Sequence, residues 1–162
     1  MISEKMQKAL NDQIQAEMFS SYLYLSMSAC FNSVNMDGMA QWMKVQSREE
    51  NGHAMKIYSY LIERGGKVEL QAIEKPQTTW ATPLDAFKDA YKHELYITGR
   101  INDLVKLAYD EGDIATLTFL QWFVTEQVEE EANASKIVAM LEMIGESKNG
   151  LFMMDHNLGK RE

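Results

Sequence analysis

Apolar residues recur at intervals of three and four along most of the chain, in four long segments and one short segment. Because an α-helix has 3.6 residues per turn, this spacing places the apolar residues on one face of each helix. The pattern predicts helices over about residues 4–31, 38–64, 83–111, 113–144 and 147–157. We therefore expect an all-α protein in which residues 1–162 form a single domain.

Residues at the ends of the predicted helices agree with these boundaries. Ser3 is a favourable N-cap, and Thr82-Pro83 places a cap residue directly before a proline at the first helical position. Asp37 is the expected cap of the second helix, and Gly65-Gly66 is typical of a helix end. Local signals therefore support the starts and ends that the apolar pattern predicts.

The lengths of the connections predict how the helices are arranged. The first and second helices are joined by a short turn, as are the third and fourth, so each pair is expected to form an antiparallel hairpin. Residues 67–82 lack a helical period and form a connection long enough to run the length of a bundle. The sequence therefore predicts a four-helix bundle with one long crossover and a short fifth helix at its C-terminal end.

Each of the four apolar stripes is interrupted once by a carboxylate, and these residues are Glu17, Glu50, Glu94 and Glu130. His53 follows Glu50 by three residues, and Gln127 precedes Glu130 by three. The interval from Glu17 to Glu50 equals that from Glu94 to Gln127, so the two hairpins repeat the pattern. We expect them to present Glu…Glu-x-x-His and Glu…Gln-x-x-Glu to a shared centre.

Four carboxylates in a bundle core would repel one another and lose their hydration, so they must be protonated, paired or bound to cations. No Lys or Arg interrupts these stripes near the four acids. Two divalent ions would cancel the four negative charges with His53 neutral, and carboxylate-and-imidazole ligands with open positions suit Fe(II), then Mn(II) or Zn(II). Tyr24, two turns from Glu17 on the same face, is placed to hydrogen-bond a ligand carboxylate.

Three further acids, Glu49, Glu126 and Glu129, lie beside the four stripe carboxylates. Two interpretations are equally compatible with their positions. They form a third metal site next to the pair, or they belong to a solvated acidic face, because Glu129-Glu130-Glu131 is a run of charges. His93 and His156 are not expected to be ligands in the core.

The composition excludes several classes of partner. The formal net charge is −8 and no basic cluster follows a helix face, which argues against nucleic-acid binding and suits cations. No apolar run is long enough to cross a bilayer, and the N-terminus lacks the apolar core of a signal peptide. Cys30 is the one cysteine, so no disulfide within the chain and no thiolate cluster are expected, which favours a cytoplasmic location.

Taken together, the motif resembles that of the non-haem ferritins of bacteria and archaea, and the resemblance covers nearly the whole chain. It implies a ferroxidase centre in which Glu17, Glu50 and His53 hold one iron and Glu50, Glu94 and Glu130 hold the second, with Gln127 near it. It also implies an additional iron site at Glu49, Glu126, Glu129 and Glu130. The family oxidises Fe(II) with O2 or H2O2 and stores ferric mineral in a hollow homo-oligomeric shell of 24 subunits.

Departures from related families sharpen these expectations. Bacterioferritins carry a second Glu-x-x-His and bind haem through a methionine after the bridging glutamate, where this chain has Asn51, so no haem is expected. Rubrerythrins add a cysteine-rich iron domain, which one cysteine cannot supply. The acidic residues of the threefold channels of animal ferritins fall on Leu117 and Leu120, so the sequence leaves the route by which iron reaches the centre open.

Three alternative functions follow from the same residues. The first is a di-iron oxidase acting on an organic substrate or peroxide without storage, which needs a substrate pocket beside the metals. The second is a Dps-like DNA protector, a class with metals between subunits and often basic tails. The third is a purely structural bundle, which leaves the buried acids unexplained.

Overall fold

The computed structural model describes residues 1–162 and contains five helices: α1 (Glu4–Ser33), α2 (Asp37–Glu63), α3 (Pro83–Asp110), α4 (Ile114–Ile144) and α5 (Lys148–Leu158). α1 packs along α2, α3 packs along α4, and α1 also contacts α3. α5 lies across the ends of α2 and α4. None of the five helices has an apolar stretch that would reach across a membrane. The predicted all-α four-helix bundle with a short fifth helix is confirmed.

The crossover between α2 and α3 runs along α1 in the direction of that helix. Near its start, Asn11 Nδ2 donates to the Lys67 carbonyl at 2.9 Å, and the Glu69 N–H donates to Asn11 Oδ1 at 2.8 Å. Farther along, Ser26 Oγ donates to the Gln77 carbonyl at 2.6 Å. Side chains of α1 therefore satisfy the backbone of a connection that has no secondary structure of its own.

Side chains directly before the helix cap four of the five N-termini, including the predicted caps Ser3 and Thr82. The side chains of Ser3, Thr82, Asp113 and Ser147 each accept a hydrogen bond from a backbone N–H in the first turn of α1, α3, α4 and α5. The expectation that Asp37 caps α2 is wrong, because Asp37 is already the first helical residue and Met36 makes no side-chain cap.

Asp155 of α5 supplies the missing cap of α2. Its Oδ1 accepts from the Met39 N–H at 2.8 Å and its Oδ2 accepts from the Gly38 N–H at 3.3 Å. A Cβ atom at position 38 would lie 1.7 Å from the Asp155 carbonyl oxygen, so only glycine allows this approach. A carboxylate on a neighbouring helix therefore both caps α2 and fixes the position of α5.

The apolar core consists of two clusters separated by a polar layer. One cluster lies at the end covered by α5 and includes Met27, Trp42, Phe87 and Met154. The other lies toward the opposite end of the bundle and includes Met6, Leu61, Leu104, Leu120 and Phe123. The layer between them is made of the buried polar side chains Gln13, Glu17, Gln46, Glu50, His53, Glu94, Gln127 and Glu130.

Candidate metal centre

The four predicted carboxylates all lie inside the bundle. Glu17, Glu50, Glu94 and Glu130 are each at most 4% exposed, and His53 is 5% exposed. A stripe position on a long amphipathic helix faces the core whatever its side chain, which is why these acids are buried. Removal of four acids from water is unfavourable, and the surrounding contacts show how far the protein offsets it without a metal ion.

Two sets of side chains bring ligand atoms close enough together to hold one metal ion each. The first is Glu17, Glu50 and His53, and the second is Glu50, Glu94 and Glu130. Within each set the potential ligand atoms lie within 4.8 Å of one another, and we call such a group a metal-sized set. Glu50 belongs to both sets, so its carboxylate lies within reach of both positions.

Glu94 is held by neighbours on two other helices. The Tyr24 hydroxyl donates a short hydrogen bond to Glu94 Oε1, and Gln127 Nε2 donates to Glu94 Oε2 at 3.2 Å. Gln127 also donates to Thr98 Oγ1 at 3.2 Å. The structure therefore places both Tyr24 and Gln127 against a single carboxylate, where they orient it.

Glu50 and Glu130 share one donor. Gln46 Nε2 donates to Glu50 Oε1 at 3.1 Å and to Glu130 Oε2 at 2.6 Å. The other oxygen of Glu50 lies 3.2 Å from His53 Nδ1. An amide nitrogen carries two hydrogens, so this one group donates to one oxygen of each carboxylate and ties α2 to α4 across the centre.

Glu17 is the least satisfied carboxylate of the layer. Its Oε1 accepts from Gln13 Nε2 at 2.8 Å, whereas its Oε2 is buried and has no hydrogen-bond partner. Burial, reinforced by the charge of Glu50, raises the pKa of Glu17 to about 8. A buried acceptor without a partner is costly, and a metal ion bound at this oxygen would remove that cost.

The electrostatics of the centre favour bound cations. Burial, with the charge of Glu94 adding to it, raises the pKa of Glu130 to about 7, and burial raises the pKa of Glu94 itself to about 6. Burial and the charges of Glu94 and Glu130 also raise the pKa of Glu50 well above its ordinary value. Without metal, protons must therefore partly neutralise the layer, and cations would replace them.

The three further acids, Glu49, Glu126 and Glu129, divide into two groups. Glu126 joins His53 and Glu130 in a third metal-sized set, with its Oε1 3.7 Å from His53 Nε2. Glu49 and Glu129 are exposed and belong to no such set. The carboxylate of Glu49 is instead paired with the guanidinium of Arg161.

Sequence analysis missed two glutamines and two arginines that shape the centre. Gln13 and Gln46 donate to the buried carboxylates, and their side-chain oxygens accept from Arg100 Nε at 2.9 Å and Arg161 Nη1 at 2.8 Å. A signal for the glutamines was present, because a Gln precedes both Glu17 and Glu50 by four residues, one helix turn. No periodic pattern marks the two arginines.

His93 lies beside the polar layer and contacts other side chains. Its Nε2 lies 2.7 Å from Ser20 Oγ, and its ring contacts those of Phe19, Tyr24 and Tyr96. Burial lowers its pKa to about 4, so the imidazole is neutral at pH 7. His93 belongs to none of the metal-sized sets.

Comparisons with known proteins agree with this geometry. The model of the ferritin-like domain matches residues 7–144. The bacterial non-heme ferritin of Bacteroides fragilis (strain 638R) is 47% identical over 161 residues, which cover 99% of this chain and 100% of that protein. The bacterial non-heme ferritin of Campylobacter jejuni is 41% identical over 155 residues, which cover 96% and 93% of the two chains.

Solved structures show the same similarity. An open pore ferritin from the hyperthermophilic archaeon Archaeoglobus fulgidus is 51% identical and superimposes with a TM-score of 0.99, covering 100% of both chains. A humanized archaeal ferritin gives the same identity and TM-score, with 100% of this chain and 98% of that chain covered. The resemblance inferred from the carboxylate motif is confirmed, and the chain belongs to the family of bacterial and archaeal non-haem ferritins.

Proposed function

We propose that this protein is an iron-storage ferritin that oxidises Fe(II) at the buried centre and keeps the ferric product inside an oligomeric shell. The observation that carries the proposal is the pair of metal-sized side-chain sets that share Glu50. Membership of the ferritin family and the similarity to solved ferritins support iron storage. The donor set of carboxylate oxygens and one imidazole supports iron as the metal.

In this proposal Glu17, Glu50 and His53 bind one Fe(II), while Glu50, Glu94 and Glu130 bind the other. Two divalent ions supply four positive charges, which balance the four carboxylates when His53 is neutral. The raised pKa values of Glu17 and Glu130 mean that Fe(II) displaces protons as it binds.

The proposed reaction transfers two electrons in one encounter. Each Fe(II) gives up one electron, and O2 takes up two electrons and two protons and leaves as H2O2. When H2O2 is the oxidant, it takes up two electrons and two protons and gives two water molecules. Holding two ions on the shared carboxylate of Glu50 lets both electrons be delivered together, which avoids release of a one-electron product.

We further propose that Glu126, with Glu49, Glu129 and Glu130, forms an additional iron site beside the pair. Support comes from the third metal-sized set, in which Glu126 and Glu130 approach His53. Glu130 belongs to this set and to the set around Glu94, so an ion could pass between the two without losing all its ligands.

Storage requires assembly, because one chain of 18.6 kDa has no interior space for a mineral. We propose a homo-oligomeric shell of 24 subunits in the cytoplasm. Large apolar side chains that stay exposed on the single chain support assembly, and they include Leu25, Tyr109, Ile114, Val128 and Phe152. The single cysteine supports a reducing compartment.

Replacement of the shared carboxylate tests the oxidation step. In Glu50→Gln, the initial rate of Fe(II) oxidation should fall by at least about 100-fold, because loss of a shared ligand should exceed the effect of losing an outer hydrogen-bond partner. Glu63→Gln, an exposed residue on the same helix, is the matched control and should oxidise iron at the wild-type rate. Equal rates in Glu50→Gln and wild type would refute the proposed centre.

Aerobic loading with a large excess of Fe(II), followed by size-exclusion chromatography, tests storage. We expect ferric iron to co-elute with protein at a mass far above that of one chain. Protein that elutes as one or two chains with about two irons each, while the remaining iron precipitates, would instead indicate a di-iron oxidase without storage.

A further inference from the structure

Arg161, which follows α5, is seated against α2 beside the metal centre. Its guanidinium pairs with the carboxylate of Glu49 and donates to Gln46 Oε1 at 2.8 Å and to the Trp42 carbonyl at 3.4 Å. The guanidinium carbon lies 4.5 Å from the centre of the Trp42 ring, a cation–π contact. The Arg161 carbonyl accepts from Gln41 Nε2 at 3.2 Å, so both backbone and side chain are held.

The contact with Gln46 fixes which way its amide faces. A guanidinium can only donate hydrogen bonds, so the side-chain oxygen of Gln46 must point toward Arg161. The amide nitrogen therefore points into the bundle, where it donates to Glu50 and Glu130. Arg161 therefore affects the orientation of Glu50 and Glu130 through the side chain of Gln46.

The contact with Glu49 occupies an acid that the additional iron site would use. Glu49 Oε2 accepts from the guanidinium, so this oxygen is not free to bind a metal ion in the same geometry. In this position Glu49 belongs to no metal-sized set, although its charge contributes to raising the pKa of Glu130. Arg161 thus supplies a positive charge at the edge of the centre, at an acid expected to bind iron.

The Arg161–Glu49 pair is placed so that it can be exchanged. The Glu49 side chain is 43% exposed and that of Arg161 is 22% exposed, and ion pairs open to water contribute little net stability. A divalent ion carries twice the charge of the guanidinium. The pair can therefore restrict the site at low iron and yield to iron when the first two positions are filled.

We propose that Arg161 is a positioning residue that limits the centre to two iron ions by competing with a third ion for Glu49. This inference rests on the proposed function, because it assigns a regulation to the same centre. While Arg161 holds Glu49 and orients Gln46, the paired site is complete and the third site lacks one of its acids. Displacement of Arg161 opens the third site.

Anaerobic equilibrium dialysis against Fe(II) measures this competition directly. In Arg161→Ala the third ion should bind about tenfold more tightly than in wild type, because its acid no longer has a charged partner. The first two ions should bind up to about tenfold more weakly, because Gln46 then lacks the partner that orients it toward Glu50 and Glu130. Lys160→Ala is the matched control, because it removes the same charge from the neighbouring residue. The Lys160 side chain hydrogen-bonds Asn157 and lies outside the contacts of Arg161.

Two further variants separate competition from a general effect of charge. Arg161→Ala combined with Glu49→Gln should lose the tenfold gain, because the acid that Arg161 blocks is then absent. Arg161→Lys keeps the charge, but one ammonium cannot contact Glu49, Gln46 and Trp42 together, so its third-ion affinity should lie between those of wild type and Arg161→Ala. Circular dichroism and elution volume must match wild type in every variant.

The inference is overturned if Arg161→Ala and Lys160→Ala bind the third ion equally, or if the gain persists without Glu49. It is also overturned if no variant binds a third ion. Failure of the proposed function looks different, because wild type and Lys160→Ala would then fail to bind even the first two ions.

Discussion

Two glutamines orient carboxylates of the centre, and each is held by an arginine, but the two arginines sit in different kinds of structure. Gln13 accepts from Arg100, which lies within α3, whereas Gln46 accepts from Arg161, which lies beyond the last helix. In both cases the arginine makes the amide nitrogen face a carboxylate, Glu17 in the first. The same arrangement is thus built once from a residue within a helix and once from a residue beyond the last helix.

The difference lies in what else holds each arginine. Arg100 also donates to the Asp12 carbonyl at 3.1 Å and to the Tyr96 hydroxyl at 3.2 Å, and its backbone is part of a 28-residue helix. The position of Arg161 depends on the docking of α5, which Asp155 fixes at the start of α2. A change in that docking should therefore release Arg161 and leave Arg100 in place.

Gly38→Ala is expected to have the largest effect on this comparison. The new methyl group would lie 1.7 Å from the Asp155 carbonyl oxygen, so α5 must move and the free energy of unfolding should fall by about 2–3 kcal/mol. Arg161 should move with α5, and third-ion binding should resemble that of Arg161→Ala. Gly52→Ala, with open space at its Cβ position, is the control for urea unfolding and iron binding. Undisturbed stability in Gly38→Ala would contradict the described docking of α5.

Substitution of the two glutamines should have a smaller, unequal effect. Gln46→Leu removes the donor to two buried carboxylates and should lower the free energy of unfolding of the metal-free protein by about 2 kcal/mol. Gln13→Leu removes the donor to one carboxylate and should cost about 1 kcal/mol. Urea unfolding at constant pH measures both, and a larger loss in Gln13→Leu would reverse the assignment.

The pH dependence of metal-free stability provides a further test, which concerns Glu17. Its pKa is about 8 in the folded protein and near 4.5 without burial, so the folded state keeps a proton that the unfolded chain releases. Its contribution to stability is complete below pH 4.5 and is lost as the pH rises toward 8. Wild type should lose at least about 1 kcal/mol more than Glu17→Gln between pH 5 and 8. Parallel unfolding curves for the two proteins would show that Glu17 stays ionised.

The sequence predicts the fold and the burial of the four acids well, because both depend on periodicity. Glu17 and Glu50 occupy stripe positions, and a stripe on a long helix faces the core regardless of residue type. The roles of these acids as ligands stay predictions. Gln13 and Gln46 occupy the same stripes, but they carry no charge, so burial in the core does not by itself mark them as part of the centre.

The rest of the centre depends on contacts that periodicity does not encode. Arg161 lies outside any helix, and its contact with Glu49 follows from how α5 docks. Local rules predict Asp37 as the cap of α2, whereas Asp155 supplies it from more than one hundred residues away. At the start of α2 the tertiary structure overrides a local signal, whereas at Arg161 it creates a contact that no local signal marks.

The number of Fe(II) ions bound without oxygen tests the shared role of Glu50 most directly. Anaerobic dialysis should find two tightly bound ions per wild-type chain and one in Glu17→Ala, because Glu17 belongs to one metal-sized set. Glu50→Ala should bind fewer than one, because Glu50 belongs to both sets. If Glu50→Ala keeps one or both tightly bound ions, the ions do not share this carboxylate and the paired centre is refuted.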